Sequence, residues 1–192
     1  MKVRKDDMNF VLDTIIDNTN NQNKNTDAIY QIVDTEKIGV FGHSLGGATA
    51  AAIGRERDDI DAVVNLDGPL LGELTGLADG KYVMSEEPSI FPLLNIYSDD
   101  LWGQMLAGFE YSPNVLLRSN APVNVYSVNF EGAKHLSLTD LPLLSPMLAS
   151  MLQGGSTSID KYSCIVEMNS TILAFFDSYL KSEGTFTSAG TD

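Results

Sequence analysis

Four short apolar runs punctuate this chain, and each leads into polar residues suited to chemistry. Ile38–Phe41, Asp61–Asp67, Ile90–Tyr97 and Pro122–Val128 are rich in Val, Ile and Leu, as strands covered on both faces should be. Helical spacing fills the stretches around them. Asp6 or Asp7 can cap an opening helix whose apolar stripe is Met8, Val11, Leu12, Ile15 and Ile16. Ala48–Ile53 is strongly helix-forming, and a last helix from about Asp160 to Lys181 carries Ile165, Met168, Ile172, Phe176 and Tyr179 on one face. The Asn-rich run 18–27 reads as a surface loop. Strands alternating with helices predict an α/β fold: one domain with a parallel sheet between layers of helix.

In such a sheet the reactive residues sit beyond the carboxyl ends of the strands. Ser44, Asp67, Asp99, Asp100 and His135 all fall there. Gly42-His43-Ser44-Leu45-Gly46 matches G-x-S-x-G between a strand and a helix, the context of a nucleophile elbow. The turn should strain Ser44, and side chains at 42 and 46 are expected to collide around it. The Leu45 N–H is the candidate oxyanion donor. A serine hydroxyl needs a base, and the chain offers two histidines. His43, inside the elbow, is expected to point away from the serine and pack or hydrogen-bond locally. His135 is then the base by elimination, in the serine–acid–histidine order of α/β-hydrolases. The acid has two candidate positions. In that general fold it commonly follows the later strand, which favours Asp99 or Asp100. Asp67 is framed by Leu66 and Gly68-Pro69, a tight setting for a carboxylate, whereas Asp99-Asp100 before Leu101-Trp102 also reads as a helix cap.

Three segments carry a family likeness: Gly-His-Ser-Leu-Gly-Gly-Ala-Thr-Ala at 42–50, Val-Asn-Leu-Asp-Gly-Pro at 64–69 and Gly-Ala-Lys-His-Leu-Ser-Leu-Thr-Asp at 132–140. They resemble the plasma and type II intracellular platelet-activating factor acetylhydrolases and their bacterial relatives, over most of residues 8–181. The resemblance implies Asp67 as the acid, on the strand following the elbow, and an ester hydrolase acting on short-acyl phospholipids or small esters. Gly68-Pro69 departs from the aromatic residue often found there in the family. An α/β-hydrolase normally has about four strands before the elbow strand and takes its second oxyanion donor from a loop after an early one. Only 37 residues precede Ile38, so the chain is expected to be N-terminally incomplete, with the open edge of its elbow strand promoting self-association. Rival readings are a general carboxylesterase, lipase or polyester hydrolase, and a non-catalytic binding domain of the same fold.

Composition narrows the partners. The 192 residues carry a net charge of −14, which opposes nucleic acid and adsorption to anionic membranes. Cys164 is the only cysteine, expected buried and inert, so neither a disulfide nor a cysteine metal site is implied. No cofactor is called for. No apolar run reaches membrane-spanning length, and Met1–Lys5 runs into Asp6-Asp7 rather than the apolar core of a signal peptide. Leu101–Phe109 and Leu141–Leu152 are expected to pack into the core, with a lid or lipid-facing rim beside the site as the alternative.

Overall fold

The computed structural model describes residues 1–21, 27–106 and 120–187. Its centre is a four-stranded sheet of β1 (Gly39–His43), β2 (Ala62–Leu66), β5 (Leu93–Ser98) and β6 (Val125–Phe130), all parallel and in that order. Every residue of β2 and β5 is buried, which is why these runs are continuously apolar rather than alternating. Each expected strand is present, shifted by up to three residues at its ends.

Alternate residues feed two cores. On one face Val40, Val63 and Leu93 pack with Ala50, Ala51 and Ile53 of α2 (Leu45–Glu56), and Met8 and Leu12 of α1 (Lys2–Asn20) close over them. On the other face Val64, Leu66, Leu94 and Ile96 meet Cys164, Met168 and Phe175 of the last helix, Lys161–Leu180. That helix matches the expected one. Its most buried ring is Phe175, which the single-face stripe had passed over. Cys164 is fully buried, and burial pushes its thiol up to about 11, so it is inert at neutral pH.

Two local expectations are corrected, and one element lies outside them. The opening helix starts at Lys2 rather than after Asp6 or Asp7, and Lys5 pairs with Glu56 to seat its first turn on α2. It also runs three residues into the expected loop, where Asn18 donates back to the Thr14 carbonyl and so continues the turn. Residues 22–26 of that loop lie outside the described residues. Finally, an antiparallel hairpin, β3 (Leu74–Ala78) and β4 (Lys81–Met84), stands between β2 and β5. Its turn, Asp79-Gly80, has positive φ at both residues, the type I′ geometry that Asp-Gly favours.

A short helix α3 (Asp99–Leu106) follows β5, and residues 107–119 lie outside the described residues. After β6 come a 3₁₀ turn (His135–Leu138) and two short helices, α4 (Leu141–Leu144) and α5 (Pro146–Leu152); Lys161–Leu180 is α6. The expected core packing of 141–152 is not observed. Ala149 is buried, but Leu144 and Met147 are each 82% exposed and Met151 70%.

Candidate active site

Ser44 stands at the junction of β1 and α2 with φ 58° and ψ −124°, a conformation costly for any residue with a side chain. Close packing imposes it. A Cβ on Gly42 would lie 2.6 Å from the Gly46 carbonyl oxygen, and one on Gly47 would strike the side chain of Asn65. The expectation for Gly46 itself is overturned, because a Cβ there meets nothing within 4 Å. The crowding falls on 42 and 47 because helix α2 rises directly over the end of β1. The Ser44 N–H bonds the Leu66 carbonyl at 2.8 Å, so the elbow hangs from the strand that ends in Asp67. Leu45 opens α2 and is 41% exposed.

Asp67 is 3% exposed and also has positive φ, 51°, which Asp tolerates better than most residues. Its carboxylate is fully engaged. Oδ1 accepts from the Ser98 N–H at 2.7 Å, and Oδ2 accepts from the Ser98 hydroxyl at 2.8 Å. Oδ2 also lies 2.7 Å from Nδ1 of His135. A carboxylate can only accept, so Nδ1 carries the proton and Nε2 of a neutral His135 holds a lone pair. The His135 side chain is 41% exposed, open to a ligand on one side and bonded to a buried anion on the other.

The two alternative acids are placed elsewhere. Asp99 accepts from the Gly132 N–H at 2.8 Å and from Asn129 Nδ2 at 3.1 Å, and its own N–H bonds the Ala133 carbonyl. It ties down the segment that carries His135 without touching the imidazole. Asp100 is the exposed second residue of α3.

Sequence reasoning missed two supports. Ser98 supplies two of the three hydrogen bonds on the Asp67 carboxylate. Asn65, completely buried, spans the turn after β2: its Nδ2 donates to the Gly68 carbonyl and to Asn95 Oδ1, and its Oδ1 accepts from the Gly68 N–H. A Cβ at 68 would lie 2.5 Å from the Ser44 carbonyl oxygen, so an aromatic residue cannot occupy this position here. His43 departs from expectation too. Its partner is not local: Nε2 is 2.8 Å from the backbone oxygen of His135, 92 residues on, and the two rings lie 4.4 Å apart. Burial lowers the pKa of His43 from its ordinary value.

Among the described residues no group of His, Cys, Asp and Glu is arranged to hold a metal ion, and no helix is long and apolar enough to cross a membrane.

A family model described as "Platelet-activating factor acetylhydrolase, isoform II" matches residues 8–190. The chain belongs to this family. No curated protein sequence matches it. Among solved structures it is similar to a ferulic acid esterase from Streptomyces cinnamoneus, with a TM-score of 0.63 and 20% identity over 96% of this chain. The chain spans 49% of that esterase. A looser likeness, TM-score 0.45 and 17% identity over 81% of this chain and 26% of the other, is to an acylaminoacyl peptidase from Pyrococcus horikoshii. The fold of this family member is therefore that of the α/β-hydrolases: a mainly parallel sheet flanked by helices.

Proposed function

We propose that the protein is a carboxylic ester hydrolase that works through an acyl-enzyme on Ser44, with His135 as base and Asp67 as acid. The observation that carries this reading is the 2.7 Å bond between His135 Nδ1 and the buried Asp67, at a strand end to which the Ser44 elbow is itself bonded. Nε2 of His135 takes the Ser44 proton as Oγ attacks the ester carbonyl. The tetrahedral oxyanion that forms meets the Leu45 N–H at the positive end of α2. His135 then gives its proton to the leaving alcohol, and water, deprotonated by the same nitrogen, releases the acid and restores Ser44. Through this cycle Asp67 stays ionised, holding the tautomer and balancing the imidazolium.

Family membership supports a short-acyl phospholipid or small ester as substrate. The exposed apolar residues of α4 and α5, from Leu144 onward, favour an apolar group on one side of the ester over a uniformly polar one. The test is labelling with a fluorophosphonate probe together with hydrolysis of p-nitrophenyl acetate. Both are expected in the wild-type protein and neither in Ser44→Ala. A wild-type protein that neither labels nor hydrolyses would instead indicate a binding domain on this fold.

A further inference from the structure

The elbow contains a second histidine for which the proposed ester cleavage has no use. His43 is the last residue of β1, immediately before Ser44, yet its side chain reaches the segment after β6. We propose that His43 is a positioning residue: its Nε2–H grips the backbone carbonyl of His135 and so ties the base to the strand that carries the nucleophile.

The chemistry of the contact sets its direction. A backbone carbonyl can only accept, so at 2.8 Å the proton belongs to Nε2 of His43. That defines the tautomer of a neutral ring and leaves Nδ1 without a proton. Neutrality has a purpose here. His135 must gain a proton in the reaction, and the two ring centroids are 4.4 Å apart. A second cation at that distance would oppose the first. The ionisable groups acting on His43 are His135, from the segment after β6, and Asp67, from the end of β2, and burial is the strongest influence, favouring the uncharged ring. His43 therefore suits the task in two ways, as a hydrogen-bond donor of the right reach and as a neighbour that stays uncharged. Asp67 fixes the ring of His135 through Nδ1, and Asp99 fixes the approach to it through Gly132. His43 holds a further handle, the main chain of His135 itself.

The inference rests on His135 acting as base, and the experiment separates the two ideas. His43→Phe keeps a ring but removes the donor, whereas His43→Gln removes the ring but keeps an N–H near the position of Nε2. The chain has two histidines, so each variant leaves His135 alone in the imidazole region of a proton NMR spectrum. In His43→Phe, fluorophosphonate labelling of the full chain is expected to slow about tenfold, as loss of one buried hydrogen bond allows, and the Nδ1–H of His135 to exchange faster with water. In His43→Gln the labelling rate should stay within about twofold of wild type, with that proton still protected. Should the Phe variant fail to fold by circular dichroism, His43→Leu serves as the donorless variant. Wild-type labelling and proton protection in a folded donorless variant would overturn the proposal, as would equal losses in the Phe and Gln variants. Labelling that survives Ser44→Ala would instead remove the esterase reading, and the NMR comparison would still decide the role of His43.

Discussion

Both carboxylate oxygens of Asp67 are occupied in a nearly water-free setting, so its partners cannot be exchanged cheaply. Removing the Ser98 hydroxyl leaves Oδ2 to His135 alone. Ser98→Ala is expected to lower kcat/KM for p-nitrophenyl acetate about three- to tenfold and to destabilise the fold by about 1 kcal/mol, read by urea denaturation. The acid assignment gives a sharper contrast. Asp67→Asn can no longer hold the imidazole tautomer and should cost on the order of 10³–10⁴ in kcat. Asp99→Asn keeps a carbonyl oxygen for the Gly132 N–H and should cost less than tenfold. Equal losses in the two variants would contradict the assignment. Space around the elbow makes a third comparison. Gly42→Ala drives a Cβ into the Gly46 backbone and should cost about 1–3 kcal/mol. Gly46→Ala faces open space and should be neutral or stabilising by at most about 0.5 kcal/mol. The positions of Ser44, Asp67 and His135 beyond strand ends were legible because each follows a recognisable strand, but Asp99 and Asp100 do too, and only the family resemblance singled out Asp67. Ser98 and Asn65 were not legible, since their partners are chosen by the register of β2 against β5, which no local pattern records.

At the scale of elements, the strand runs and the last helix could be read because burial on both faces leaves a continuous apolar signature. The hairpin was missed although Asp79-Gly80 announces its turn. Its strands are mostly exposed and carry little hydrophobic signal, so turn chemistry was the only cue. The expected burial of 141–152 failed for the opposite reason: apolar composition says that a segment seeks cover, not that this part of the chain supplies it. Strand β1 lies at one edge of the four-stranded sheet, and Phe41 on it is 59% exposed despite an edge contact with the Phe176 ring. Edges of this kind favour pairing with another chain. Concentration-dependent association is therefore expected in sedimentation experiments, and Phe41→Lys should reduce it. A wild-type protein that stays monomeric at high concentration would show that this edge is protected.

For the whole molecule, the titration of His43 makes stability depend on pH. Its folded pKa is lowered from the ordinary 6.5, first by burial. Below pH 6.5 the unfolded chain therefore takes up a proton that the folded one refuses, so stability falls as pH drops from 6.5 toward the lower folded value. The slope is at most about 1.4 kcal/mol per pH unit, and less for a ring that remains half-buried. Carboxylates complicate the absolute curve, because protonating them relieves the repulsion of a chain with net charge −14. The difference between proteins isolates the histidine. Between pH 7 and 5 the urea midpoint of wild type should fall further than that of His43→Gln, and parallel curves would refute the assignment of a neutral, half-buried ring.

The cross-strand bonding of the sheet does not stop where the strands do. Ser44 N–H reaches the Leu66 carbonyl, Asp67 N–H reaches that of Ile96, and Asp99 N–H reaches that of Ala133. The three corners are thus hung from one another rather than from the excursions between them. Insertions at the exposed tip 79–83 should therefore leave all three corners in place, whereas the stretches around it are anchored by buried Leu70, Glu73 and Phe91.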